Sequence, residues 1–111
     1  MSVTVKWYGD KYSKQMIKGV KKGLHRSINI VDADIKLLTP VRTGDLRGAN
    51  KKNVDEVKLI ATETNDKEYA PNVEFGTRYQ KANPFFRTGF VKNIRKIMAI
   101  FKAEGKEAIG N

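Results

Sequence analysis

The chain has 111 residues, 40% of them hydrophobic, and its 22 Lys and Arg against 12 Asp and Glu leave a formal charge of +10. That length suits one domain with a modest core and excludes a deep cleft between two lobes. With no cysteine, disulfide scaffolds, thiolate zinc sites and cysteine nucleophiles are excluded, and the charge favours acidic partners, either nucleic acid or an acidic protein surface.

The opening MSVTVKWYGDK lacks the apolar stretch of a signal peptide, and no run approaches transmembrane length, so a cytoplasmic protein without membrane contact is expected. Residues 2–8 alternate, with Val3, Val5 and Trp7 on one side and Thr4, Lys6 and Tyr8 on the other, which is the period of a half-buried strand. Gly9 and Asp10 break it, and Asp10 or Ser13 can cap the helix that follows.

A long amphipathic helix is expected over about 13–38, because Val20, Leu24, Ile28, Val31, Ile35 and Leu38 recur at spacings of three and four. Gly19 and Gly23 stand beside that stripe, where either a close neighbour or a weak first helical half accounts for them. Thr39-Pro40 ends the helix, since the residue before proline leaves the helical region.

Residues 39–52 read as a turn-rich basic segment, and about 56–64 as a strand with Val57, Leu59 and Ala61 on one face. Residues 46–52 are its candidate hairpin partner, joined through the turn KNVD. Residues 65–83 form an irregular crossover. Within it, Pro71 starts a single helical turn, NVEF, ended by Gly76 in the left-handed conformation. Asn83 then caps a helix over about 84–104 with Pro84 at its first position and Phe86, Phe90, Ile94, Ile97 and Phe101 on its inner face. The fold class is α+β: a single small domain in which an antiparallel or mixed sheet packs against the long N-terminal helix and the C-terminal helix.

Catalytic chemistry finds little to work with. His25 falls opposite the apolar stripe, facing solvent, with no evident partner to orient it. Asp32 and Asp34 are two apart on a helix and diverge, while Asp55, Glu56, Asp66 and Glu68 flank turns. No metal-ligand spacing, phosphate loop or nucleophile–base pair is present, so no enzyme, cofactor or metal is expected. Lys11, Lys14, Lys18, Lys21, Lys22 and Arg26 form an uninterrupted basic face on the first helix, and Lys92, Arg95, Lys102 and Lys106 do so on the last. Such faces are usually solvated; phosphate or acidic-surface contact is the other reading. Glu74 stands between Val73 and Phe75 in a packed stretch near Arg78, with Arg42, Arg47 and Arg87 in adjoining motifs, so a structural Glu–Arg pair is expected.

Two motifs, TPVRTGDLRGA at 39–49 and YAPNVEFGTRYQKANPFFR at 69–87, resemble the signature of a small "tail component" family of tailed bacteriophages. The resemblance falls on Pro40, Thr43, Gly44, Leu46 and Arg47; on Tyr69, Ala70, Val73, Glu74, Phe75, Gly76 and Thr77; and on Pro84, Phe85 and Arg87. It covers about residues 13–101, departing at Asn72 and at Thr88-Gly89. It implies a non-enzymatic virion morphogenesis protein, a head–tail joining, neck or tail-completion subunit working as one copy in a ring. The partners implied are other phage connector or tail proteins, first in the host cytoplasm and then in the virion. Ring subunits need two different contact patches, and Arg42, Arg47, Arg78 and Lys81 in the two turn-rich motifs are the candidate interface residues. The alternative is a small basic nucleic-acid-binding module using the Lys and Arg faces of its helices.

Overall fold

The alternating start of the chain and the periodic stretch after it pack against each other. The computed structural model describes residues 1–7, 14–40 and 45–108. The expectations for Tyr8, Asp10, Lys11, Ser13, Arg42, Thr43 and Gly44 therefore lie outside the described residues, as does the Lys106 side chain. Ser2–Lys6 is β1, Asn50–Asp55 is β2 and Ile60–Asn65 is β3. They form an antiparallel sheet in the order β1-β3-β2, in which Val5 lies opposite Ala61 and Val54 opposite the same residue from the other side.

Lys14–Leu38 forms α1, a helix of 25 residues and so about 37 Å long. Its stripe Val20, Leu24, Ile28, Val31 and Ile35 is buried, as the period required. One flank of the stripe covers the sheet. The other receives the C-terminal helices Phe85–Val91 (α4) and Ile94–Ala108 (α5), which run antiparallel to α1. Two glycines set this approach. A Cβ on Gly23 would lie 2.6 Å from the Phe101 ring, and one on Gly89 would lie 2.5 Å from Ile35 Cγ1. Gly89, one of the two departures from the family motif, is where α4 closes on α1.

The expected single C-terminal helix is two. The chain breaks at Lys92 and Asn93, where the fully buried Asn93 donates from Nδ2 to Asp34 Oδ2 and to Gly89 O, both at 2.7 Å. The break rotates the inner face, so Ile94, expected on that face, is exposed, while Ile100 is buried. α5 also continues past Gly105 to Ala108.

The hairpin exists, but its turn lies further along the chain. KNVD, expected to be the turn, belongs to β2, and the turn is Glu56–Leu59. Asp55 decides this: its Oδ1 accepts from the N–H groups of Val57 and Lys58, each at 3.0 Å, and so nucleates the turn one residue after the strand. Val57 is consequently 94% exposed, not on an inner face.

Candidate functional site

The chain folds its two signature motifs against each other at the C-terminal end of α1. Asp45–Gly48 forms a short helix, α2, and Ala70–Phe75 another, α3. A buried polar network fixes the first motif. Thr39 Oγ1 donates to Ile35 O, Asn50 Nδ2 donates to Thr39 Oγ1, and Asn65 Nδ2 donates to Asn50 Oδ1 and Leu46 O. Each buried amide is thereby satisfied, and the end of α1, α2, β2 and β3 are tied together. Arg47 joins this arrangement as well: its Nε donates to Lys36 O at 2.9 Å. It is half-buried and anchored, so among the four candidate interface residues it has a structural task.

The second motif is held by Glu74. Its carboxylate is buried and accepts from the backbone N–H groups of Phe86 at 2.8 Å and Arg87 at 3.2 Å. These are donors of the first turn of α4 that have no partner within the helix, so Glu74 caps that helix from α3. The expected arginine side-chain partner is replaced by backbone, and the Arg87 side chain points to solvent. Asn83 does not cap α4 as expected either; Pro84 occupies the cap position without a side-chain bond, and Phe85 begins the helix. Gly76 has the expected positive φ of 77°, but with ψ at 171° it is extended rather than left-handed helical. A Cβ there would lie 2.7 Å from Ala82 N, so only glycine fits.

Between the motifs lies an open groove of about 920 Å³. Pro40 and Leu46 line it from the first motif, and Tyr69, Val73, Lys81 and Pro84 from the second. At its rim Thr77–Gln80 makes a tight turn: Thr77 N–H donates to Gln80 O at 2.9 Å, and Tyr79 N–H donates to Thr77 Oγ1 at 3.2 Å. The turn displays Arg78 over the Tyr79 ring at 5.7 Å, with Tyr79 89% and nearby Phe75 69% exposed. Arg78 and Lys81 are exposed as expected. Buried Ala70 and Phe85 hold α3 and α4 in place.

Three features escaped sequence reasoning. Asn50 and Asn65 looked like turn residues, and only their burial at strand ends marks them as a network. Tyr79 carried no periodic signal. Glu63, fully buried beside Asp32 under α1, has its pKa raised to about 8, first by burial, then by the neighbouring Asp32 carboxylate. Its inward place in the alternating pattern of β3 was the available clue. His25 does have a partner, Glu56 Oε1 at 3.0 Å, but both side chains are about half exposed and form a surface pair. Among the described residues, no group of three His, Asp or Glu side chains could hold a metal, and no helix is long and apolar enough to cross a membrane.

A protein-family model described as "Bacteriophage HK97-gp10, putative tail-component" matches residues 6–76, from the end of β1 through Gly76. No curated protein and no solved structure matches the chain.

Proposed function

Since the chain belongs to the HK97-gp10-like family of bacteriophage tail components, we propose that it is a non-enzymatic virion assembly subunit that joins head to tail or completes the tail, one copy among several in a ring. The observation that carries this reading is the meeting of both signature motifs around one groove with an exposed aromatic and cationic rim. Well-bonded residues of the motifs (buried Thr39 and Glu74, half-buried Arg47) hold a surface whose exposed members are Tyr69, Phe75, Arg78, Tyr79 and Lys81. Tyr and Arg over a rigid scaffold are the composition of interface hot spots. The shape supports assembly too: the radius of gyration is 15.9 Å, where a compact chain of this length has about 13 Å.

In this reading the protein is made in the host bacterial cytoplasm and ends in the virion, at the head–tail junction or in the tail. The groove end contacts a neighbouring subunit or connector protein through residues of 41–52 and 76–83, including Arg42, Arg78 and Lys81, against an acidic partner surface. The test is the double charge reversal Arg78→Glu with Lys81→Glu in an infecting phage. Filled heads and free tails that fail to join are expected, with the isolated protein melting as wild type. Joined, infectious particles at wild-type yield would overturn the placement of the interface.

A further inference from the structure

We propose that the N-terminal half of α1 binds the phosphate backbone of duplex DNA through Lys14, Lys18, Lys21 and Lys22. This site lies at the far end of α1 from the groove, Lys22 about 24 Å and Lys14 about 36 Å along the helix axis from Leu38, and stands independently of the groove's role.

Charged helical faces are ordinarily just solvated, and three observations separate this one. The first is neutralisation. Lys18, Lys21, Lys22, His25 and Arg26 line a shallow hollow of about 400 Å³ with two carboxylates, Glu56 and Glu104. Both acids are already engaged, Glu104 with Arg26 at 2.6 Å and Glu56 with His25 at 3.0 Å. Among the described residues, none of the four lysines has an ion-pair partner.

The second observation concerns helix electrostatics. The first turn of α1 holds no acid and begins with Lys14, so the positive end of the helix dipole meets a cation. Lys14, Lys18 and Lys22 repeat at i, i+4, the spacing at which like charges repel along a helix. These placements oppose folding and are relieved by a bound polyanion.

The third observation selects the polyanion. The stripe carries no aromatic ring among its lysines, and its apolar neighbour Ile17 is half-buried at the flank, whereas the cores of protein interfaces are depleted in Lys and enriched in aromatics. The lack of interleaved rings also removes the stacking platforms that single strands need. What remains is a row of point charges about 12 Å long, which spans about seven phosphate charges along a duplex axis. Ammonium groups on flexible stems neutralise phosphates without reading bases, so binding is independent of sequence.

The experiment follows anisotropy of the full-length protein on a labelled duplex of about 30 base pairs, with salt raised from about 50 to 200 mM. Four phosphate contacts give a log–log slope of about −3.6 and a loss of about a hundredfold in affinity over that range. Changing all four lysines to Gln is expected to remove that contribution, with helicity checked by circular dichroism. Lys18→Gln and Lys22→Gln singly should each lower the slope by about 0.9, which keeps the test available if the fourfold variant misfolds. Arg78→Gln with Lys81→Gln should leave the slope unchanged. An unchanged slope in the stripe variants, or an equal loss in the groove-end variant, overturns the site. Competition by polyglutamate as strong as that by a duplex of equal charge overturns DNA as the ligand and makes the stripe an acidic-protein contact.

Discussion

Glu74 shows how a single buried carboxylate can organise an irregular segment. Its partners are backbone N–H groups that α4 cannot satisfy itself, so the charge stays bonded without a cation. Charge-assisted bonds of this kind contribute about 1.5–3 kcal/mol. Glu74→Gln keeps the size, removes the charge and turns an amide donor toward donors. A loss of about 1–3 kcal/mol is expected, read as a fall in melting temperature of several degrees. An unchanged melt would mean that water serves the first turn of α4 equally well. Glu63 makes the opposite case, a carboxyl held in its protonated form. Its pKa rises from 4.5 to about 8 on folding, so between those values the folded state holds the proton more tightly than the unfolded chain. Its contribution is complete below about 4.5 and is lost as pH rises through about 8, by at most about 1.4 kcal/mol per pH unit. Melting temperature should therefore decline from pH 5 to 8 in the wild type and stay flatter in Glu63→Gln. Parallel profiles would remove Glu63 as the cause.

At the scale of elements, α1 is the organiser, since its stripe meets the sheet on one flank and α4 and α5 on the other. Leu24→Ala removes a fully buried side chain and is expected to cost about 2–5 kcal/mol, a large part of the stability of a small domain. A near-neutral melt would show that the stripe is not the core. The glycines give a sharper contrast. Alanine is the better helix former by about 1 kcal/mol, yet at Gly89 its methyl meets Ile35, including backbone at 3.0 Å. Gly89→Ala should therefore destabilise by about 1–3 kcal/mol. A Cβ at Gly48 meets nothing within 4 Å, so Gly48→Ala should be neutral or stabilising by up to about 1 kcal/mol. Thermal melts of the two variants should move in opposite directions or differ plainly, and equal shifts would contradict the close approach of α4.

For the whole molecule, the principal extents of 54 × 23 × 21 Å keep two kinds of surface apart. The groove end carries aromatics, Arg78 on a hydrogen-bonded turn and Lys81 beside it, and the far end of α1 carries the lysine stripe. Exposed charges contribute little to folding, so Arg78→Glu with Lys81→Glu should leave the melting temperature within a degree or two of wild type, a change of about 0.5 kcal/mol or less. A large fall would mean these side chains hold the groove together instead of facing a partner. Sites this distant also act additively. Combining the groove-end reversal with the lysine-stripe variant should therefore give the sum of the two defects, one in joining particles and one in binding duplex.

By itself the sequence determined whatever depends on neighbours within a few residues. The α1 stripe, the alternation in β1, the stop at Thr39-Pro40 and the positive φ at Gly76 follow from period and steric preference, which are local. The order and spacing of the two motifs were legible in the same way and gave the family. The tertiary structure decided what depends on residues distant in the chain. Asp55 moved the hairpin turn, although a local bond achieved it, because β2 had to reach Asn50 to complete the buried network with Thr39 and Asn65. Asn93 split the last helix because Asp34, 59 residues earlier, takes its amide. Glu74 found the N-terminus of α4 instead of an arginine, since burial beside free N–H groups satisfies a carboxylate without a second charge to desolvate. The groove itself exists only where both motifs are brought to one end of α1, an arrangement that no window of sequence contains.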